Sequence, residues 1–370
     1  MKRLLAGTST NSDVNQYSGV VLSSKTEICQ LRYVASHLMQ EDDPMLDPEF
    51  FLASLSEGWQ PRVVAVHRKD EMVGIVYAKE RTISGIATGI VFVDGSLGGM
   101  FLGNPLRRKN SFRVAVETLA ASHSIRSVRL RVLPGSDEFE AIKQLTVSGA
   151  LDARYSQIKH NESSLWKYHA HLPLADTYEQ FLYRLGKATR HNFRYYRRRF
   201  EAGGHSFIER LSMDELRSVT LDLDPKSKFT GRRQHYEIER DLNMVAASHR
   251  PLAIGLKHHD GEWVSVMGGW YRPGGAVLCF QRNNDRNFSL DSLSVVLRAY
   301  LIELLIQQGL EELVIWSDTG PPLSRYVTYV PTIGVRLDAP TYPWRVTRLL
   351  MATVGPLLPK RLADAAQWLA

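Results

Sequence analysis

Between residues 251 and 318 the hydrophobic pattern changes period twice. Residues 251–259 (PLAIGLKHH) alternate apolar and polar positions, as a strand with one buried face does. Asp260-Gly261 is a hairpin turn signal, and 263–271 (WVSVMGGWY) answers as the returning strand. Arg272-Pro273-Gly274-Gly275 turns the chain again, so 276–280 forms a third strand. From Leu290 the period lengthens: Leu293, Val296, Leu297, Tyr300, Leu301, Leu304 and Leu305 recur at three- and four-residue steps, predicting a helix over 289–308. Ser289 or Ser292 caps its start, and Gly309 lies just past its end. Residues 312–317 (ELVIWS) return to strand, so a parallel crossover is expected around the helix.

The first half repeats this order. Short helices are expected at 26–38 and 48–55, the second entered through Asp47-Pro48. Strands follow at 62–67, 72–79 and 89–94, with Lys69-Asp70 turning the first pair. Residues 95–110 form a loop holding Gly95, Gly98, Gly99 and Gly103, which runs into Arg107-Arg108-Lys109. A helix over 110–122, a strand at 128–133 and a helix from 134 to about 146 complete the half. Hairpin, polar turn, helix and strand thus occur twice at half-chain spacing, which predicts a repeated fold. The expected architecture is mixed α/β (α+β): two tandem domains, each a mostly antiparallel sheet flanked by helices. The expected bounds are a flexible leader at 1–18, a first domain at 19–160, a second at 161–335 and a helical tail at 336–370.

A helix expected over 177–202 sets the charge picture. Phe181, Leu185, Phe193, Tyr196 and Phe200 form its apolar stripe, and Gly203-Gly204 ends it. Six of the thirteen residues from Lys187 to Arg199 are basic and none is acidic, more than solubility requires. Ser212 with Glu215 is a capping box opening a helix at 213–223. Over all 370 residues the formal charge is +7, favouring an anionic partner: a phosphorylated cofactor, a nucleic acid or a membrane surface. The two cysteines, Cys29 and Cys279, offer neither metal spacing nor a disulfide framework and suit a reducing, cytoplasmic setting. No apolar run is long enough to span a bilayer. The tail from Trp344 onward mixes Leu349, Leu350 and Val354 with Arg345, Arg348, Lys360 and Arg361. It suits either a terminal helix pair broken at Pro356 and Pro359 or a basic amphipathic segment lying on a membrane, peripheral to its inner face.

The segment from Leu185 to His205 (LGKATRHNFRYYRRRFEAGGH), with the run from Phe288 to Gly320, resembles the acetyltransferase-like domain of the FemAB and CelD/BcsL group. That group belongs to the GNAT superfamily, whose members often carry two such domains in tandem. The likeness covers residues 165–330, and the first half by element order alone. Two departures stand out. The usual Arg/Gln-x-x-Gly-x-Gly turn is replaced by Arg282-Asn283-Asn284-Asp285-Arg286-Asn287, and Asp318-Thr319-Gly320 leads to Ser324-Arg325-Tyr326 rather than Tyr-Lys.

The resemblance implies an acyl donor, acetyl-CoA foremost among acyl-CoAs, with its phosphates at the start of the central helix. Arg282, Asn283, Arg286, Asn287 and Ser289 are the donor-binding candidates there. A helix start suits an anion because unpaired N–H groups and the positive dipole end meet at it. In FemAB-like proteins the Lys-x-x-Arg helix faces an anionic substrate, which makes Lys187, Arg190 and Arg194 candidates for the acceptor side. Asp318 is the candidate base that would take the proton of an attacking amine or hydroxyl. His258-His259 lack a third ligand at metal spacing, so no metal is expected. The loop at 95–103 carries no Gly-x-x-x-x-Gly-Lys. Three functions are open: an acyl-CoA-dependent transferase acting on a sugar or cell-envelope precursor, a FemAB-like transferase using aminoacyl-tRNA, and a non-catalytic basic adaptor. No heptad arm of the kind the second usually has is visible. Oligomeric state is not legible.

Overall fold

The computed structural model describes residues 16–38, 43–94, 101–122, 124–147, 152–158, 169–227, 232–288, 292–316 and 323–338. Residues 1–15 of the leader and 339–370 of the tail, with Ser289 and Asp318, lie outside the described residues, while the end of the expected leader opens β1 and the start of the expected tail closes β17.

In chain order the first half runs β1 (Tyr17–Leu22), α1 (Lys25–Val34), α2 (Pro48–Ala53), β2 (Trp59–Pro61), β3 (Val63–Arg68), β4 (Glu71–Val76), β5 (Lys79–Ile83) and β6 (Ile86–Asp94). It continues with β7 (Phe101–Gly103), α3 (Arg108–Ala121), β8 (Ser127–Val132), α4 (Asp137–Val147) and β9 (Asp152–Ile158). The second half opens with β10 (Ala170–Pro173), α5 (Tyr178–Arg184), α6 (Lys187–Ala202), β11 (Ser206–Ile208), α7 (Met213–Leu223) and α8 (Arg232–Ala247). β12 (Pro251–Lys257), β13 (Trp263–Arg272), β14 (Gly275–Asn283), α9 (Leu293–Gln307), β15 (Glu312–Ile315), β16 (Thr328–Tyr329) and β17 (Thr332–Asp338) complete it.

The chain divides into two compact units: 1–40, 58–157 and 332–370 form one, 41–57 and 158–331 the other. In the first, β5 and β6 pair antiparallel, α3 crosses over, and β8 returns parallel to β6. α3 buries Phe112, Val116 and Leu119 in a cluster with Val91 of β6 and Leu130 of β8. In the second, β12, β13 and β14 form a meander, α9 crosses over, and β15 returns parallel to β14. α9 is apolar almost all round because it is enclosed: Val296, Leu297, Leu301, Ile302 and Leu305 are fully buried. The repeated order of hairpin, crossover helix and parallel strand makes this a tandem α/β chain of mostly antiparallel sheets.

The units differ from the expected bounds at two places. Residues 41–57, with α2, join the second unit, where Phe50 sets its ring edge-on to Trp270 at 4.9 Å. β17 belongs to the first unit, paired along its length with β8. Its position is fixed by a partner strand two hundred residues earlier, where local pattern carries no information.

Three elements depart from sequence expectation. The strand expected over 72–79 is two strands, β4 and β5, in different sheets. The loop expected over 95–110 contains β7, which pairs with β4. The helix expected over 177–202 is two helices, because Leu185 leaves helical geometry at ψ 144° and buries its side chain while Gly186 starts a new helix.

The far side of β15 is covered by β10, held by a 2.9 Å bond between His171 Nδ1 and Glu312 Oε1. The His171 bond, and secondarily its charge, hold Glu312 below its ordinary value. A carboxyl depressed in the folded state adds stability above its unfolded value, lost as pH falls through the folded one. Glu312→Gln is therefore expected to lower stability at neutral pH by well under 1 kcal/mol, since the pair is partly solvated. It should also flatten part of the stability loss below about pH 4.5, the range where an ordinary glutamate titrates, as read by urea melts across pH. Among the described residues no helix is long and apolar enough to cross a membrane.

Candidate functional site

The ladder between β13 and β14 slips by one residue at its middle. Gly268 faces Phe280 and Gly269 faces Leu278, so Cys279 is an extra residue on β14, a β-bulge. At that residue the described pairing of β14 with β15 also ends. The parallel pairing runs from Gly275 with Glu312 to Leu278 with Ile315, and its last link is the Trp316 N–H donated to the Leu278 carbonyl at 2.9 Å. Among the described residues, 279–283 of β14 pair with β13 alone. Among the described residues of the first unit, β6 stays paired with β8 to its last residue, Asp94 with Arg131.

Beyond the bulge, β14 runs into the turn before α9. Asn284 is wholly buried and organises that turn: its Nδ2 donates to Glu262 Oε1 at 3.1 Å and its Oδ1 accepts the Asn287 N–H at 3.3 Å. Its carbonyl accepts the Phe288 N–H at 3.1 Å. Ser292 then holds a left-handed backbone, φ 47° and ψ 44°, and gives α9 no side-chain cap. A non-glycine residue in that region is strained, and such strain concentrates at functional sites.

The donor-side candidates divide. Arg282 is committed to Asp224 at 3.0 Å and to the Gln281 carbonyl at 2.8 Å. Asn283 Oδ1 accepts from the Ser265 hydroxyl at 2.6 Å and from Gln281 Nε2 at 2.9 Å. Arg286 and Asn287 are exposed on the same turn. The fold thus gathers these four residues but uses two of them as scaffold. Asn284, the residue that shapes the turn, was passed over because a buried polar organiser looks like any turn asparagine in sequence.

α6 presents the acceptor-side candidates. Lys187 begins the helix, exposed, and the Arg190 guanidinium lies 5.2 Å above the Tyr183 ring. Arg194 forms an ion pair with Glu179. Lys187, Arg190, His191, Arg194, Tyr195 and Arg198 share this face of the helix. Arg197 faces the other way, bonded to Glu303 at 2.6 Å and Glu201 at 2.9 Å and lying 4.3 Å over Tyr300. Burial would lower Arg197, but its bonds to Glu201 and Glu303 outweigh that and raise it, so it is a fixed tie between α6 and α9. Burial likewise pushes the Tyr178 hydroxyl beside Arg197 up to about 12.

The break before α6 has a chemical consequence. The Gly186 N–H donates to the Tyr326 hydroxyl oxygen at 2.6 Å, beside Lys187. That bond, followed by one from the Thr189 side chain, holds the Tyr326 phenol below its ordinary value. Sequence reading noted Tyr326 only as a departure from the family pattern. The fold also brings His205, after α6, to His258 and His259, after β12, with a ring nitrogen of each within 4.8 Å of the others. It thereby supplies the third histidine that the sequence pair lacked.

The sequence matches no protein-family model and no curated protein. The structure is similar to that of FemX, with a TM-score of 0.62 and 10% identity over 88% of this chain and 98% of FemX. It is similar to L-PGS from Bacillus licheniformis, with a TM-score of 0.52 and 13% identity over 84% of this chain and 93% of that one. It is also similar to the C-terminal domain of a putative lysylphosphatidylglycerol synthetase from Agrobacterium fabrum, with a TM-score of 0.50 and 12% identity over 90% and 97% of the two chains. At such identities the likeness is one of fold: the chain has the fold of FemX.

Proposed function

We propose that the protein is a transferase that moves an activated acyl group onto an amine or hydroxyl of an anionic acceptor, with the chemistry in its second unit. The observation that carries this reading is the end of the described pairing of β14 with β15 at the Cys279 bulge, with Ser292 giving α9 no side-chain cap beyond it. An exposed strand edge can take an extended donor arm by main-chain hydrogen bonding. Main-chain N–H groups along that edge would suit a carbonyl oxygen that gains charge as it is attacked. The first unit, whose parallel strands stay joined, would then be the non-catalytic half.

On this reading the donor is an acyl-CoA, acetyl-CoA first among them, with Arg286, Asn287 and Ser289 beside its phosphates at the helix start. Arg282 and Asn283 hold the turn. The acceptor nitrogen or oxygen bonds to the thioester carbonyl carbon, Asp318 takes its proton, and the C–S bond breaks to a thiolate that is then protonated. Lys187 and Arg190 hold the acceptor's anionic group near the Tyr326 hydroxyl, as suits a sugar phosphate or cell-envelope precursor.

A second reading keeps the site and changes the donor to an aminoacyl-tRNA. It is favoured by the commitment of Arg282 to Asp224 and by the basic side chains of Lys187, Arg190 and Arg198 on one face of α6, which suit a polyanion. Incubation with acetyl-CoA or charged tRNA and a panel of phosphorylated amines and alcohols, read by thiol release and product mass, tests both. Asp318→Asn is expected to remove the acidic limb of the kcat/KM profile with whichever donor is used. An unchanged profile would move the base elsewhere.

A further inference from the structure

We infer that His205, His258 and His259 form a binding site for a divalent transition-metal ion of the zinc, nickel or copper type. The three imidazoles come from two separate segments, and a ring nitrogen of each lies within 4.8 Å of the others. Their centroids are 4.4 Å apart for His205 and His258, 4.0 Å for His258 and His259, and 5.5 Å for His205 and His259. Three imidazoles with an open fourth position are a familiar zinc ligand set, and imidazole suits nickel and copper as well. Metal–nitrogen bonds of about 2.0–2.1 Å require the nitrogens to close in, which small side-chain rotations provide.

The surroundings orient the rings. His258 Nδ1 lies 3.0 Å from Asp260 Oδ2 without an aligned hydrogen bond, so a small ring rotation would let this carboxylate orient the histidine for a metal. Asp260 is itself anchored, since its Oδ1 accepts the Glu262 N–H at 2.9 Å. His205 Nδ1 accepts the His259 N–H at 3.1 Å, so that ring already presents a lone pair toward the cluster, and a metal would replace this contact. His259 is exposed and gives the ion a route in.

The position adds a consequence. His205 and His258 line a cavity of about 290 Å³ that Phe288 and Leu293, at the start of α9, also line. A dication held there would set positive charge beside the donor end of the proposed site, where Arg282 is already committed to Asp224. This consequence rests on the proposed donor site; the metal site does not.

Titration of the full chain with Zn²⁺ against a chromogenic indicator, and with Co²⁺ by visible absorption, tests the inference without any acyl donor. The expected result is one saturable equivalent, with cobalt bands of a nitrogen-rich low-coordinate site. Affinity should fall more than tenfold in both His205→Ala and His258→Ala. Asp260→Asn should cost about tenfold, the low end for a group that orients a metal-binding histidine. Zn²⁺ should raise the melting temperature of the wild type and not of His205→Gln, with both melting alike in chelator. Absence of saturable binding, or affinity unchanged in His205→Ala, would overturn the site.

Discussion

Replacing Gly269 with alanine is expected to lower the unfolding free energy by about 3 kcal/mol, the upper range for forcing atoms into a filled interior. A Cβ at this position would lie 1.9 Å from the Val277 carbonyl oxygen, 3.0 Å from its carbon and 3.2 Å from the Leu278 Cα. All three are backbone atoms, so no side chain can rotate away, and β14 itself must move. The displaced residues are those at which the described pairing of β14 with β15 ends. Donor binding should therefore fall even in the folded fraction. Gly274→Ala is the control: its φ of 71° disfavours alanine, but no atom lies within 4 Å of the added Cβ. Its cost should be about 1–2 kcal/mol, that of a left-handed residue. Urea midpoints and slopes for both variants decide the matter. Equal costs would show that the two strands are not closely apposed at the bulge.

Removing Lys187 and Arg190 together should weaken binding of an anionic acceptor by about a hundredfold or more, since hydrogen bonds to charged groups contribute about 1.5–3 kcal/mol each. Stability should change little, by about 0.5 kcal/mol or less per residue, because both lie on the surface. Arg194→Ala alone should have a smaller effect on binding, because Glu179 already neutralises that guanidinium. Calorimetry at two salt concentrations reads both outcomes, with the wild-type affinity falling faster as salt rises. A double variant that binds like wild type would remove α6 from the acceptor site. One that unfolds would make the pair structural.

The second meander and its crossover were legible because each element has its own hydrophobic period and each turn its own residues: Asp260-Gly261, then Pro273-Gly274. The capping box at Ser212 and Glu215 was equally local, and the structure forms both of its bonds. The break between α5 and α6 was hidden because Phe181 and Leu185 keep helical spacing while Leu185 reaches the core from an extended backbone. The Cys279 bulge was hidden too. A one-residue slip leaves the apolar run Val277-Leu278-Cys279-Phe280 looking like a plain strand, and only Gly268-Gly269 on the facing strand hints at close approach. The ties of Arg282 to Asp224 and of Gly186 to Tyr326, like the meeting of His205 with His258, join residues far apart in sequence. Residue types alone could nominate such groups but not say which are committed to the scaffold.

Isothermal titration of the wild-type chain with acetyl-CoA and longer acyl-CoAs, set beside the Gly269→Ala variant, tests the central claim most directly. Saturable binding of at least one acyl-CoA, weakened in the folded variant, is the predicted result. No binding of any acyl-CoA at millimolar ligand would contradict the thioester reading, and saturable binding of charged tRNA by the same preparation would then give the site to the aminoacyl donor.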